Sequence, residues 1–271
     1  MPHVTVNNAR LWYDVVGEGE PLLLHHGYTA SRVNWMPIAE RLKSRYQVIL
    51  MECRGTGESE HTADGYTLEQ YAADVIGVAD HLGLEQFTYA GHSMGGGIGY
   101  VLALTYPERL KRLVLMAAIP ADGIPAELPI VPQPSAADHD TLLARYQAQR
   151  FRPEVETDDW FEDRIRHVTT VSNGHHQDGA RAMRTLKAGS RLGEITMPTL
   201  ILAGSADILL AANLADFQRL PNAILHVFSR AGHEVAIHEP DGVAEAIDGF
   251  MQHGVITGRT LIDRVIAAGL T

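Results

Sequence analysis

Phe87-Thr88-Tyr89-Ala90-Gly91-His92-Ser93-Met94-Gly95-Gly96-Gly97 is the most informative stretch of the chain. Gln86–Ala90 reads as a strand, the residues after Gly95 read as a helix, and Gly-x-Ser-x-Gly sits between them. A serine at so sharp a strand-to-helix turn has a strained backbone, and its Oγ is pushed above the sheet edge. The turn presses the Cβ positions two before and two after the serine against neighbouring backbone, so both must be small. Gly91 and Gly95 meet that requirement. The amide of Met94 then points toward the same space as Oγ, at a helix N-terminus where developing negative charge is favoured. A glycine-rich turn without chemistry carries the same five-residue pattern; the strand–turn–helix context separates the two.

The first 120 residues alternate strand and helix signals. Strands are expected at Val4–Val6, Leu11–Val16, Leu22–His26, Tyr46–Met51 and Leu113–Ala118. Leu68, Tyr71, Ala72, Val75, Val78, Ala79 and Leu82 recur at helical intervals over 67–82, with Thr67 and Gln70 at capping-box spacing and Gly83 as a stop. A further helix is expected from Asn34 to Lys43. Such alternation implies a mainly parallel sheet with helices on its faces. The first two strands, with no helix between them, suit an antiparallel hairpin at one edge.

Residues 119–190 break the rhythm. Pro120, Pro125, Pro129, Pro132 and Pro134 crowd its first part, and helical pieces follow near 138–150, 157–169 and 176–188. The segment reads as a helical insertion over the sheet. Alternation then resumes with a strand at Thr199–Ala203, a helix at Ala211–Leu220, a strand at Ile224–Phe228 and a helix at Asp241–Gln252. In the tail from Gly254 to Thr271, Leu261, Ile262, Val265 and Ile266 share one helical face, expected to pack on the body rather than to self-associate.

Composition narrows the function. The chain has 271 residues, a net charge of −11, 45% hydrophobic and 20% charged residues. That is a globular balance, and its acidity argues against nucleic-acid partners and against docking on an anionic membrane. No apolar run approaches the ~18 residues of a membrane span. Met1-Pro2-His3-Val4-Thr5 lacks a signal-peptide pattern, so a cytoplasmic location is expected. Cys53 is the single cysteine, which excludes an internal disulfide and a multi-cysteine zinc site.

A serine hydroxyl needs a base to remove its proton. Fourteen histidines make any one weak evidence, so position decides. His233 follows Ala231-Gly232 just after the last strand signal, and Asp207 follows the strand Thr199–Ala203 in Gly204-Ser205-Ala206-Asp207. Loops at the carboxyl ends of parallel strands are where such sheets place their sites. The order Ser93, Asp207, His233 is the one this fold uses. Separately, Asp207 would read as a helix cap and His233 as a loop residue; behind a serine elbow the joint reading is stronger. A second oxyanion donor fits the loop after Leu22-Leu23-Leu24-His25-His26, where Gly27 lets the amide of Tyr28 face the reacting oxygen.

With these residues in hand, the chain resembles the α/β-hydrolase superfamily, in its branch of small serine esterases, lactonases and haloperoxidase-like hydrolases. The resemblance rests on His26-Gly27, Arg54-Gly55-Thr56-Gly57-Glu58-Ser59, Gly91-His92-Ser93-Met94-Gly95-Gly96, Gly204-x-x-Asp207 and Gly232-His233 followed by Glu239-Pro240, and spans residues 22–240. It implies an eight-stranded, mainly parallel sheet flanked by helices. The core would be 1–118 with 191–271, and 119–190 a helical cap inserted after the sixth strand. It implies Ser93 as nucleophile, His233 as base, Asp207 as orienting acid and the amides of Tyr28 and Met94 as oxyanion donors. No cofactor or metal is expected, and the partner is a small-molecule substrate; the oligomeric state is left open. Relatives often carry Asp at the position of Glu52, His25 beside His26 would narrow the pocket, and the tail runs past the usual last helix.

Competing motifs fail on spacing. His233-Glu234-Val235-Ala236-Ile237-His238 has one residue too many for a His-Glu-x-x-His zinc site. His175-His176 lacks further ligands and is expected at the surface. Cys53 is expected to be structural. Gly95-Gly96-Gly97-Ile98-Gly99 is no dinucleotide fingerprint, and no phosphate loop is present. A serine nucleophile points to acyl chemistry, with hydrolysis of a small or medium carboxylic ester or lactone ranked first. The alternatives with the same triad are a carbon–carbon (diketone) bond hydrolase, a cofactor-free perhydrolase and a slow-turnover ligand receptor. Tyr146, Trp160, Phe161 and Met183 are candidates for the pocket lining, and Asp122 is the replacement acid should Asp207 fail.

Overall fold

The computed structural model describes residues 2–128, 130 and 138–270, so Pro129, Pro132 and Pro134 lie outside the described residues. Eight strands are β1 (His3–Val6), β2 (Ala9–Val16), β3 (Glu20–His25), β4 (Tyr46–Met51), β5 (Phe87–His92), β6 (Leu110–Met116), β7 (Thr199–Gly204) and β8 (Ala223–Phe228). They form one sheet in the order β1-β2-β4-β3-β5-β6-β7-β8. β1 pairs β2 and β2 pairs β4 antiparallel; all pairings from β4 through β3 to β8 are parallel. The β1–β2 hairpin turns on Asn7 and Asn8, both at positive φ (48° and 58°), as a tight turn of matching twist requires.

The sheet is covered on both faces because its strands bury side chains both ways. Leu23 of β3 and Leu113 and Leu115 of β6 face one core with α2 (Leu68–His81) and α3 (Met94–Thr105). Leu22 and Leu24, Val114 and Met116 face the other core with α1 (Met36–Leu42) and α9 (Pro240–His253). Each such leucine removed from water contributes ~1.5–3 kcal/mol. α2 begins where expected: the Thr67 side chain accepts from the Gln70 amide at 3.1 Å. The Gln70 side chain does not close the box; it donates to Asp74 at 3.0 Å.

That Asp74 is half of a buried ion pair. Its carboxylate accepts from Arg54 Nε and Nη2, each at 2.7 Å, and the two side chains are 2% and 4% exposed. Arg54 opens the loop after β4, whose Gly55 carbonyl receives the Ser172 amide at 2.9 Å. Asp74→Ala leaves the guanidinium buried without its counter-charge. The expected loss is ~3–5 kcal/mol of unfolding free energy, measured by urea titration; a loss under about 1 kcal/mol contradicts this account of the pair.

Between β6 and β7 lie α4 (His139–Gln149), α5 (Asp158–Thr170), a π-helical turn (His175–Gly179) and α6 (Ala180–Thr185). The expected helix over 176–188 is thus split, and it begins with a wider turn. α7 (Leu210–Arg219), α8 (Val235–His238), α9 and α10 (Gly258–Ala267) complete the chain. α8 is a single turn that the sequence pattern did not show.

The tail departs from expectation. α10 forms, with the Thr257–Thr260 capping box, but Leu261, Ile262, Val265 and Ile266 remain 45–54% exposed. Gly254 ends α9 at φ +65° and redirects the chain, so the apolar stripe does not pack on the body. Periodicity identified the stripe and not what it would meet. Among the described residues, no helix is long and apolar enough to cross a membrane.

Candidate active site

The sheet order places β4 on one side of β3 and β5 on the other, so successive connections diverge around β3. Crevices open at such divergence points, beyond the carboxyl ends of the strands. Ser93 stands there, between β5 and α3, with φ +54° and ψ −113°. A non-glycine residue in this region costs roughly 1–3 kcal/mol and persists only where its surroundings hold it. Here the Ser93 amide donates to Met116 at 2.9 Å, while its carbonyl receives Gly96 at 2.9 Å and Ile119 at 3.1 Å. A Cβ at Gly91 would run into the Gly95 carbonyl, and one at Gly95 would lie 2.7 Å from the His25 carbonyl. The glycines flanking the serine are therefore a steric requirement of the turn.

Three loops converge on that hydroxyl. Ser93 Oγ lies 3.0 Å from His233 Nε2, and His233 Nδ1 lies 3.0 Å from Asp207 Oδ2. The second carboxylate oxygen of Asp207 accepts the Leu209 amide at 3.1 Å, which fixes its rotamer. The Asp207 side chain is 1% exposed and the His233 ring 37%. Burial alone would lower the His233 pKa, but the hydrogen bond and charge of Asp207 outweigh it and raise it. For Asp207 burial favours the neutral acid, and His233 overrides it and holds the carboxyl below its usual range. Asp122, the alternative acid, pairs with Arg219 at 2.7 Å instead.

Tyr28 lies in the loop after β3. Its amide makes no hydrogen bond to any described residue. The amide of Met94 is among the first-turn donors that a helix leaves unpaired. Gly27 keeps this loop close to the serine: a Cβ there would lie 2.9 Å from Ser93 Cβ.

Ser93, Asp207 and His233 line a cavity of about 640 Å³ with Tyr28, Met183 and side chains from α4 and α5, Tyr146, Trp160 and Phe161 among them. That volume suits a small or medium organic molecule. A second cleft, of about 550 Å³, runs between the start of α2 and α6 and contains none of the three residues. Its position away from Ser93, Asp207 and His233 makes the first cavity the candidate site. Among the described residues, no group of three or more His, Cys, Asp or Glu side chains is placed to hold a metal ion.

The structure corrects two expectations. His175 and His176 are not surface residues; they are 0% and 4% exposed, packed beneath Tyr28. His25 is wholly buried behind the strand and does not line the cavity, because its ring turns to Cys53 Sγ at 3.5 Å. Cys53 is buried as a structural cysteine would be, and burial pushes its thiol pKa up.

Two residues went unassigned in the sequence. His92, the second residue of the elbow, hydrogen-bonds through Nε2 to the His233 carbonyl at 2.9 Å, with the rings 4.9 Å apart. Burial lowers its pKa to about 4, so it is neutral and donates from Nε2. Glu234 lines the cavity beside His233 and accepts from Asn34 at 2.5 Å. Burial would raise its pKa, but the net shift is downward, with the Arg164 guanidinium the permanent positive charge among its causes, so the group stays ionised. Its place next to the base histidine was the available signal.

A family model described as the alpha/beta hydrolase fold matches residues 20–240. The chain belongs to the α/β-hydrolase family. This hydrolase is 31% identical over 257 residues to 2-hydroxymuconate semialdehyde hydrolase of Pseudomonas putida, covering 87% of the chain and 88% of that protein. It is 28% identical to a non-heme haloperoxidase of Rhodococcus erythropolis, covering 93% and 100%. Among solved structures it resembles Est816, described as an N-acyl homoserine lactone degrading enzyme, with a TM-score of 0.78 and 26% identity over 92% of this chain and 100% of that one. The names of these relatives span a semialdehyde hydrolase, a haloperoxidase and a lactone-degrading enzyme, so family membership fixes a hydrolase and leaves the bond to be argued from the cavity.

Proposed function

We propose that this hydrolase cleaves neutral carboxylic esters or lactones of small to medium size through an acyl-enzyme on Ser93. The observation that carries the reading is the relay Ser93 Oγ–His233 Nε2–His233 Nδ1–Asp207 Oδ2, each link 3.0 Å, opening on one cavity. His233 takes the hydroxyl proton as Oγ attacks the carbonyl carbon. The oxyanion is met by the amides of Tyr28 and Met94, and Asp207 stabilises the imidazolium. His233 then protonates the leaving alkoxide, and a water, deprotonated by the same ring, releases the acid. Residues 119–190 act as the cap over this reaction and supply most of the substrate-facing side chains.

Charge favours a neutral substrate. The lining carries two guanidinium groups, Arg145 and Arg164, against the carboxylates of Asp207, Glu156 and Glu234. Among the described residues there is no excess of positive charge to hold a dianion, and ionised Glu234 stands beside the base. Glu234→Gln is expected to raise kcat/KM for a monoanionic hemisuccinate ester by about three- to tenfold, from the repulsion of like charges near a protein surface. It should leave a neutral ester within about twofold of wild type. An equal change for both esters would contradict the charge argument.

A carbon–carbon bond hydrolase is the second reading, favoured by the 31% identity to the muconate semialdehyde hydrolase. A panel decides between them: short nitrophenyl esters, acyl lactones, and a dienoate ring-cleavage product. Sustained turnover of the neutral esters or lactones, at least about tenfold above the dienoate in kcat/KM, is the expected result. Preferential cleavage of the dienoate would overturn the ester reading, and a single burst without further turnover would favour a receptor.

A further inference from the structure

The loop that carries the Tyr28 amide is gripped almost entirely from the cap. Thr29, a β-branched residue at φ +52°, has both backbone groups engaged by side chains from the segment between β6 and β7. Its N–H donates to His175 Nε2 at 3.3 Å, and its carbonyl accepts from Arg164 Nη1 at 2.9 Å. The next carbonyl, of Ala30, accepts from His167 Nε2 at 2.8 Å. The Tyr28 hydroxyl donates to the His176 carbonyl at 2.7 Å, and its ring stacks on His175 at 5.4 Å and 13°. β-branched side chains disfavour positive φ, so this conformation relaxes unless something holds it. The holding groups belong to α5 and the π-helical turn, not to the sheet.

We propose that His175 and Arg164 are positioning residues that clamp Thr29 and so aim the preceding Tyr28 amide at the oxyanion, which makes the oxyanion hole dependent on how the cap is seated. The inference rests on the proposed acyl-enzyme reading and deepens it. Nε2 of His175 accepts the Thr29 N–H only as the neutral ring carrying its proton on Nδ1, which then donates to the Tyr71 hydroxyl at 2.8 Å. Complete burial keeps that ring neutral, with its pKa lowered to about 3. The side chain thus serves as an acceptor of fixed direction. Its wide π turn is what brings two adjacent histidines, His175 and His176, onto the same loop residues.

The test compares His175→Leu with His175→Gln in the intact 271-residue chain, using a neutral nitrophenyl ester. Leu fills space but cannot accept; the Gln carbonyl oxygen reaches about where Nε2 stood. His175→Leu is expected to lower kcat about 10- to 100-fold with KM within about twofold, because a misaimed oxyanion donor is felt in the transition state and not in ground-state binding. His175→Gln is expected to recover kcat to within about fivefold of wild type, at an unfolding midpoint no higher than that of the Leu variant. If His175→Leu does not fold, Arg164→Met against Arg164→Lys reads the same split from the Thr29 carbonyl side. Unchanged kcat in the non-bonding variant, or equal loss in both variants of a pair, would overturn the clamp while the ester reading stands. Wild-type protein with neither ester turnover nor fluorophosphonate reaction at Ser93 would overturn both.

Discussion

Ser93→Ala is expected to yield a folded protein whose ester turnover is reduced on the order of 10⁵- to 10⁶-fold. The size follows from what the hydroxyl does. In the proposed mechanism it supplies the atom that becomes the acyl carrier, and among the described residues no other hydroxyl is hydrogen-bonded to the His233 ring. The backbone amides of Tyr28 and Met94 remain, so a residual oxyanion effect of roughly 10³–10⁴ over water should survive. Fold retention is expected because the strained turn is held by the Ser93 backbone bonds to Met116, Gly96 and Ile119, none of which uses Oγ. Steady-state ester kinetics with a thermal midpoint check both halves. Activity above about 1% of wild type in a clean preparation would remove Ser93 from the mechanism.

Asp207→Asn is expected to lower kcat by about 10⁴-fold with little change in KM. The asparagine amide can donate to His233 Nδ1, which places the ring proton on Nε2 and leaves no acceptor for the Ser93 hydroxyl. A second signature is in the pH profile. His233 must be neutral to take the proton, so wild-type kcat/KM should fall as pH drops through a midpoint above the ordinary imidazole value, since Asp207 raises it. Without that carboxylate, burial is the leading influence on the ring and favours the neutral form, so the acid limb should move to lower pH. A limb that stays put, or a loss under about tenfold, would show that the acid acts elsewhere.

The framework was legible because it is written in local patterns. Leu68 to Leu82 recur at helical spacing, β3 and β6 alternate between the two cores, and Gly91 and Gly95 are demanded by the turn they flank. Position after a strand, taken jointly with the serine elbow and the chain order, singled out Asp207 and His233, and the structure places His233 within hydrogen-bonding distance of both Asp207 and Ser93. What escaped depended on contacts between segments far apart in the chain. The stripe on α10 is plain in the sequence, yet its exposure follows from the direction set at Gly254. His175 and His176 read as polar surface residues, and they are buried because Tyr28, Tyr66 and Tyr71, more than a hundred residues earlier, close around them. The roles of His92 and Glu234 likewise depend on partners that only folding supplies, the His233 carbonyl and Asn34.

The most direct measurement is mass mapping of the wild-type protein after brief reaction with a fluorophosphonate, which reacts far faster with a hydroxyl activated by a neighbouring base than with an ordinary one. One modified residue is expected, Ser93, with labelling abolished in His233→Ala. Modification at a different serine, or none under conditions that label a known serine hydrolase, would contradict it.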